Sequence, residues 1–280
     1  MGADKRLPGF NGAAGPDGSA AGVDSPRPQE DTGSGGRVHE VLQVFASIYG
    51  EVPDWVVALA SASPKALVGY YDLRAAALPD GALPRRYKEL ILVAINAARR
   101  YEPSMLMHTR GAIQAGATAA EVVEILLPCI LSRGIPAWFT GMKAVDLALQ
   151  LAGASSPRGS STADEVAPAL SDALAYFKSD LGDVPAWAAA LHAASPKAAR
   201  AYAILRAAIL RDGVLPRWVK ELALAGVNAA ERYPQGFELH ARTALRLGAT
   251  RQQLAETLLV AVLTAGIPAW FTGFPVLSEG

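Results

Sequence analysis

The sequence predicts an all-α protein made of two tandem copies of one helical unit. The segment 84–116 recurs as 216–248, and every matched pair of residues is separated by the same 132 positions. That shift aligns 52–141 with 184–273 without a gap, and about half of the aligned positions are identical. No stretch alternates convincingly between apolar and polar residues with a period of two. These observations indicate internal duplication of a helical domain.

The length and composition suit two domains of ordinary size. The chain has 280 residues, of which 51% are hydrophobic, so each copy can bury a core. The first residues are rich in Gly, Ala, Pro, Ser and Asp, and a Ser/Gly/Pro-rich stretch separates the two copies. The predicted organisation is therefore a disordered tail at 1–36, a first domain at 37–152, a linker at 153–166 and a second domain at 167–280.

The first elements of each copy are predicted from apolar spacing and helix-start signals. Residues 37–50 place apolar side chains at helical spacing, which indicates an amphipathic helix. A second short helix opens at Pro53, because proline is permitted in the first turn. Ser63 followed by Pro64 is typical of a helix cap and first helical residue, and it starts a third helix.

The central elements carry most of the polar residues that recur. A helix beginning at Pro84 carries Glu89, and a break around Pro103 separates it from the helix that carries His108. Gly116 ends that second helix, as glycine commonly does.

The last two elements of each copy are marked by a capping box and a shared break. A capping box is a pair of side chains, three residues apart at a helix start, that accept hydrogen bonds from free backbone amides. The sequence has this pattern at Thr118 and Glu121 and again at Thr250 and Gln253. A Gly-Ile-Pro stop at 134–136 then precedes a final helix at 137–151 in the first copy.

Charge and cysteine content exclude several functional classes. Lys plus Arg equals Asp plus Glu at 26 each, which argues against a nucleic-acid or membrane-surface partner. The single cysteine, Cys129, rules out an intrachain disulfide, a CxxC pair and a cysteine-based zinc site. The uncharged stretch 257–274 is interrupted by Gly-Ile-Pro, which favours two short buried helices over one membrane span. The sequence therefore predicts a soluble cytoplasmic protein.

One line of polar residues recurs on an otherwise apolar helix. Glu89, Asn96 and Arg100 are spaced by seven and four residues, so they are predicted to share one helix face. A carboxylate in apolar surroundings needs a partner. Either a Glu–Arg or Glu–Lys bridge locks two helices together, or the carboxylate orients an imidazole from the next helix. The second copy repeats the line as Glu221, Asn228 and Arg232.

The histidines on the following helix are the candidate acid–base groups. His108 and His240 occupy matching positions, and each is either a satisfied core residue or a catalytic group. Ser104 lies four residues before His108 and is interpreted first as a helix cap, with a Ser–His nucleophile as the alternative. The matching residue in the second copy is Gly236, so such a nucleophile is possible in the first copy alone.

Ser104 and two further matched pairs are candidate substrate contacts. Tyr101 and Tyr233 end the glutamate-bearing helix, where a phenol can donate a hydrogen bond to a substrate oxygen or fill an interface. Arg110 and Arg242 lie two residues past the histidines and hence on another face. They are predicted to hold a substrate carboxylate or to form an interface ion pair.

The spacing of these residues resembles the carboxymuconolactone decarboxylase and alkylhydroperoxidase D family. The resemblance covers 37–152 and 167–277. It is carried by Lys88-Glu89-Leu90, by Tyr101, Ser104 and His108, and by the segment Ala-Gly-Ala-Thr-x-x-Glu that follows them. The peroxidase branch has cysteines where this chain has Tyr101 and Ser104 in one copy and Tyr233 and Gly236 in the other. Because that mechanism needs an attacking and a resolving thiol, peroxidase activity is disfavoured.

The decarboxylase branch is similar in its Met-His-x-Arg segment, here 107–110. The resemblance implies a lyase or isomerase without metal or organic cofactor, acting on a small, carboxylated and possibly cyclic metabolite. It implies that His108 and His240 act as acid–base groups, oriented by Glu89 and Glu221. It also implies rings of six units, hence a homotrimer of two-unit chains. The alternative is a non-catalytic ligand-binding or scaffold protein.

Overall fold

The computed structural model describes residues 34–154 and 172–279, which form fourteen α-helices. Seven of them belong to the first repeat: α1 Ser34–Tyr49, α2 Asp54–Ala62, α3 Pro64–Ala77, α4 Arg85–Ala98, α5 Glu102–Gln114, α6 Ala119–Arg133 and α7 Ile135–Ala152. The second repeat has the same order: α8 Ala173–Leu181, α9 Ala186–Ala194, α10 Pro196–Leu210, α11 Arg217–Ala230, α12 Pro234–Arg246, α13 Arg251–Ala265 and α14 Ile267–Ser278. The all-α, duplicated architecture predicted from the sequence is confirmed.

The helix ends show how closely local signals set the boundaries. Ser63 accepts a hydrogen bond from the Ala66 amide and caps α3, and both predicted capping boxes form at the starts of α6 and α13. α1 begins at Ser34, inside the predicted tail, and α7 begins at Ile135, two residues before the predicted start. The rest of the predicted tail, and most of the predicted linker together with the start of the second predicted domain, lie outside the described residues.

The two repeats share one hydrophobic core centred on α4 and α11. Every residue of α4 from Tyr87 to Ala98 is buried, and so is every residue of α11 from Val219 to Ala230. The two helices contact each other, and side chains of α4–α7 and α11–α14 form a single cluster. Complete burial explains why each of these helices carries its polar residues as paired or hydrogen-bonded groups.

Two ion pairs join the repeats reciprocally. Lys88 of α4 lies 3.0 Å from Glu256 of α13, and Lys220 of α11 lies 2.9 Å from Glu124 of α6. Each glutamate also accepts hydrogen bonds from two backbone amides in the loop before the partner repeat's central helix, as Glu256 does from Leu83. Each repeat therefore fixes the start of the other repeat's central helix.

The first three helices of each repeat form a small separate core. In α1–α3 the ring of Phe45 packs edge-on against Trp55 with centroids 5.5 Å apart. In α8–α10 the matching pair, Phe177 and Trp187, packs at 5.1 Å. Such edge-to-face contacts add to the burial of large rings. These bundles carry α1 and α8, whose C-terminal ends differ between the repeats near the site described below.

Among the described residues, no helix combines the length and apolar character that crossing a membrane requires.

Candidate functional site

A sharp turn between α4 and α5 places the functional side chains. The Tyr101 amide donates to the Asn96 carbonyl at 2.9 Å and the Arg100 amide donates to the Ala97 carbonyl at 3.0 Å, which is the Schellman pattern of helix termination. Arg100 adopts a left-handed φ of 58°, and Arg232 adopts 57° at the matching position. Arg100 and Arg232 were predicted to share a helix face with the glutamates. Both instead lie beyond the helix end, because the chain reverses there.

The turn lays α5 along α4 and brings a histidine against the buried glutamate. His108 Nδ1 lies 2.7 Å from Glu89 Oε2, and His240 Nδ1 lies 2.7 Å from Glu221 Oε2. Glu89 and Glu221 are fully buried, whereas His108 is 4% exposed and His240 is 8% exposed. The structure thus assembles the same Glu–His pair in both repeats, each joining two consecutive helices.

The electrostatics of the first pair favour a neutral imidazole beside an ionised carboxylate. Burial lowers the pKa of His108, the Glu89 hydrogen bond and charge oppose that shift, and Arg74 lowers the pKa further. Burial alone would raise the pKa of Glu89, but the His108 hydrogen bond, the His108 charge when that ring is protonated, and the charges of Arg74 and Arg85 lower it. An ionised carboxylate only accepts hydrogen bonds, so His108 Nδ1–H donates and Nε2 keeps its lone pair.

Sequence reasoning missed the two arginines that flank Glu89. Arg85 Nη2 lies 3.5 Å from Glu89 Oε1, one helical turn earlier on α4, and Arg74 of α3 acts on the same carboxylate. Gly111 of α5 also packs here, because a Cβ at that position would lie 2.7 Å from the Glu89 carboxyl carbon. The repeat offered the missing signal, since the 132-residue shift matches Arg74 with Arg206 and Arg85 with Arg217.

In the second repeat the matching arginines have an additional partner. Arg217 lies 3.1 Å and Arg206 lies 3.7 Å from Glu221 Oε1. Asp180, at the end of α8, lies 3.1 Å from Arg206 Nε and 2.5 Å from Arg217 Nη2. Burial would raise the pKa of Glu221, but the His240 hydrogen bond and charge and the two arginines lower it. No signal in the sequence alone pointed to Asp180.

The predicted tyrosines and Ser104 do not join the Glu–His pairs. Tyr101 and Tyr233 lie just beyond α4 and α11 rather than at their ends and are about half exposed, at 51% and 50%. Ser104 was predicted to cap its helix, but the residue at the cap of α5 is Tyr101, so Ser104 lies within the first turn. Its hydroxyl forms no hydrogen bond with His108. Gly236 faces the Tyr233 ring, which a Cβ would approach to 2.4 Å.

The predicted arginine contacts face away from the pairs. Arg110 is exposed and lines a cleft of about 430 Å³ together with Gln114 of α5 and the end of α1. Arg242 bonds to Glu238 and Glu279 on the surface of the second repeat. Neither arginine hydrogen-bonds to a residue of the Glu–His pairs. Their predicted contact with a substrate or a neighbouring subunit stays a prediction.

Cys129 occupies an inert position. It is 1% exposed, its Sγ–H is directed at the Ala94 carbonyl at 3.4 Å, and burial raises the pKa of its thiol to about 12. A thiol with such a pKa is not a thiolate at neutral pH, so it lacks the form that attacks peroxides.

A second cleft, of about 330 Å³, lies beside the two arginines that flank Glu89. Its walls include Arg74 and Arg85 and otherwise consist mainly of apolar side chains from α1 and α3. Within 34–154 and 172–279, no cluster of three or more His, Cys, Asp or Glu side chains is placed to hold a metal ion.

A solved structure agrees with the duplicated fold over most of this chain. A structure from Burkholderia xenovorans, provisionally described as a gamma-carboxymuconolactone decarboxylase subunit, superposes with a TM-score of 0.60 at 24% identity over 86% of this chain and 95% of that one. A second structure from the same organism, provisionally described as a carboxymuconolactone decarboxylase, is 32% identical over 43% of this chain and 94% of its own, with a TM-score of 0.40.

The sequence comparisons identify the family directly. An uncharacterised protein of Cupriavidus necator is 34% identical over 88 residues, which are 31% of this chain and 78% of that protein. The sequence model of the carboxymuconolactone decarboxylase family matches twice, at 64–147 and 196–279. These two matches cover more than half of the chain and contain both Glu–His pairs. The chain therefore belongs to the carboxymuconolactone decarboxylase family, as a tandem member with two family domains.

Proposed function

We propose that this protein is a lyase or isomerase that uses histidine acid–base chemistry, without a cofactor, on a small carboxylated metabolite. The observation that carries the proposal is the Glu–His hydrogen bond of 2.7 Å, formed in both repeats between buried carboxylates and nearly buried imidazoles. In this assignment His108 and His240 exchange the proton, and Glu89 and Glu221 are positioning residues. Membership of a family named for a decarboxylase supports the same class of reaction.

The protonation state of the first pair suits general base catalysis near neutral pH. A lowered pKa keeps His108 unprotonated, and its Nδ1–H bond to Glu89 fixes the ring and leaves Nε2 as the proton acceptor. In an isomerisation, Nε2 takes a proton from a carbon beside a carbonyl and returns it at another carbon. In a decarboxylation, the bond to the carboxyl carbon breaks, CO₂ leaves, and a proton taken from water is delivered by the imidazole to the resulting enolate.

The proposed assembly is a homotrimer, in which six units form a ring. The exposed faces of α7 and α14 support it, because both present matching large apolar side chains to solvent. These are Ile135 at 49% and Phe139 at 64% in the first repeat, and Ile267 at 53% and Phe271 at 61% in the second. Large exposed apolar patches commonly mark protein interfaces. A mass of three chains by light scattering would support the trimer, and a monomeric mass would contradict it.

The test combines a substrate panel with histidine variants. We expect the wild-type protein to release CO₂ from, or isomerise, γ-carboxymuconolactone or another member of a panel of small carboxylated lactones and oxo acids. His108→Gln with His240→Gln should lower turnover by about 10²–10⁴-fold, the usual contribution of general acid–base catalysis. Circular dichroism checks that the double variant is folded, and the single variants show which repeat carries the activity. Full turnover in the folded double variant would reject the proposal.

The near-complete burial of both rings favours a second candidate, a non-catalytic ligand-binding or scaffold protein. Because His108 and His240 are only 4% and 8% exposed, a Glu–His pair also satisfies the requirement that buried polar groups be bonded. A ligand that binds tightly and is recovered unchanged after prolonged incubation would support this candidate. Peroxidase activity is disfavoured further by the buried, high-pKa thiol of Cys129. Peroxide consumption with a thiol donor, measured before and after Cys129→Ser, tests that remaining possibility.

A further inference from the structure

The cleft beside the first Glu–His pair carries positive charge that the described residues only partly neutralise. Arg74 is 6% exposed, and its guanidinium forms no hydrogen bond or direct ion pair with any residue of the described chain; it lies 5.7 Å from the Tyr49 ring. Arg85 makes one long contact with Glu89, at 3.5 Å, and its Nε is buried without a hydrogen-bond partner there. Two guanidinium groups thus share one carboxylate, which is also bonded to His108. The Arg85 side chain is 39% exposed, so the costly charge is that of buried Arg74, which is incompletely paired.

Asp80 also lines this cleft, but it does not account for the difference between the repeats. Its Oδ1 accepts a hydrogen bond from the Arg85 amide at 2.6 Å. In the second repeat Asp212 accepts one from the Arg217 amide at the same distance. Both aspartates therefore serve the start of the following helix.

The second repeat fills the equivalent place with its own carboxylate. Asp180 occupies the position that Ile48 has in the first repeat, and its side chain is 5% exposed. It contacts Arg206 at 3.1 Å and Arg217 at 2.5 Å, and these arginines match Arg74 and Arg85. One carboxylate group spans two guanidinium groups there, with one oxygen on each. In the first repeat, Ile48 lines the open cleft instead.

We propose that the cleft of the first repeat binds the carboxylate of a small ligand, which spans Arg74 and Arg85 as Asp180 spans Arg206 and Arg217. The second repeat is closed to the same ligand by its own aspartate. The other walls of the cleft specify the rest of the ligand: Val44, Ile48, Tyr71, Ala75 and Leu78 favour a compact apolar body. That this cleft holds the carboxylate of the substrate rests on the proposed function. Binding of a carboxylate ligand there can be measured without turnover.

The test is a calorimetric titration of the full chain with benzoate, a carboxylate on a compact apolar ring, at low ionic strength. We expect one site per chain and at least tenfold weaker binding of benzamide, which has the same shape without the charge. Ile48→Asp supplies the first repeat with an internal carboxylate and should weaken benzoate binding at least tenfold. Ile48→Asn, nearly the same size but neutral, is the matched control and should weaken binding less. No benzoate binding to the wild type, or equal binding by the aspartate and asparagine variants, would overturn the proposal.

The reciprocal variant tests the closed repeat. Asp180→Ala removes the internal carboxylate and should raise the number of benzoate sites per chain from one to two. A folded Asp180→Ala protein that still binds one benzoate would overturn the assigned equivalence of the two places. If this variant does not fold, the comparison of Ile48→Asp with Ile48→Asn still tests the proposal.

The outcomes separate this inference from the proposed reaction. Loss of turnover in the double histidine variant, together with an absence of benzoate binding, would leave the reaction standing and remove the carboxylate site. Benzoate binding that depends on residue 48, together with full turnover in the double histidine variant, would leave the site standing and remove the reaction.

Discussion

The two repeats hold the same Glu–His pair at the same distance but surround it differently. In the first repeat, Arg74 and Arg85 face a cleft beside Glu89. In the second, Asp180 pairs with both matching arginines and takes the corresponding place. The pair and its arginines therefore belong to the shared unit, whereas the residue at the end of the first helix differs: Ile48 lines the cleft in one repeat, and Asp180 pairs with the arginines in the other.

Neutralising each buried glutamate tests most strongly whether the two Glu–His pairs differ in their surroundings. Glu89→Gln removes the buried carboxylate that bonds to His108 and offsets the charges of Arg74 and Arg85, so we expect it to lower the free energy of unfolding by about 3–5 kcal/mol, the cost of breaking a buried pair. Glu221→Gln should cost about half as much, because Asp180 still pairs with Arg206 and Arg217. Urea denaturation of both variants measures the difference. Equal losses would show that Asp180 does not compensate.

A smaller effect is expected from pH, and it can be assigned to the first repeat. The folded-state pKa of His108 is lowered from the ordinary value of 6.5. At a pH between the folded-state pKa and 6.5, the unfolded chain therefore binds a proton that the folded chain does not. This contribution to stability is therefore complete above pH 6.5 and declines as the pH falls, by up to about 1.4 kcal/mol per pH unit.

The lowered pKa values of Glu89 and Glu221 add a second decline on the acid side, as the pH falls below 4.5 and through their folded-state values. Unfolding free energies of the wild type and His108→Gln, measured from pH 8 to pH 4, separate the two. The variant should lack the decline that starts near pH 6.5 and keep the more acidic one. A wild-type stability that stays flat between pH 7 and pH 5 would contradict the lowered pKa of His108.

The repeat shift made the fold and part of the site accessible from the sequence. Helix starts at Ser63, Thr118 and Thr250 follow from side chains that bond to neighbouring amides, so local sequence is sufficient to predict them. Glu89 and His108 could be singled out because a polar side chain on an apolar helix needs a partner. The structure places these two side chains in hydrogen-bond contact, while their catalytic role stays a prediction.

The remaining features depend on how helices pack, which the sequence does not display. Arg74 and Glu89 are on different helices, α3 and α4, and their proximity depends on tertiary packing. Asp180 breaks the repeat, so a search for matched residues passes over it. Arg100 was misplaced because the spacing of residues in the sequence does not show that the helix ends at Ala98 and the chain turns there. Lys88 and Glu256 bridge the two repeats, a contact between positions 168 residues apart.

The smallest expected effect concerns a feature in which the repeats agree. Arg100 and Arg232 adopt left-handed φ values of 58° and 57°, a conformation that costs a residue with a Cβ about 1 kcal/mol and costs glycine almost nothing. Glycine also gains freedom in the unfolded chain, which offsets part of the benefit. Arg100→Gly and Arg232→Gly should therefore each raise the free energy of unfolding, by about 0.5 kcal/mol.

Because the same Schellman turn closes α4 and α11, the two glycine variants should act equally and add when combined. Urea denaturation of both single variants and the double variant measures this, with Ala98→Gly as the control, since Ala98 lies inside α4 and should lose stability on the change to glycine. The glycine variants at Arg100 and Arg232 could gain equal free energy of unfolding while the glutamine variants at Glu89 and Glu221 lose unequal amounts. This result would show that the repeats differ in the surroundings of the Glu–His pair rather than in the turn that positions it. Unequal gains would place part of that divergence in the backbone itself.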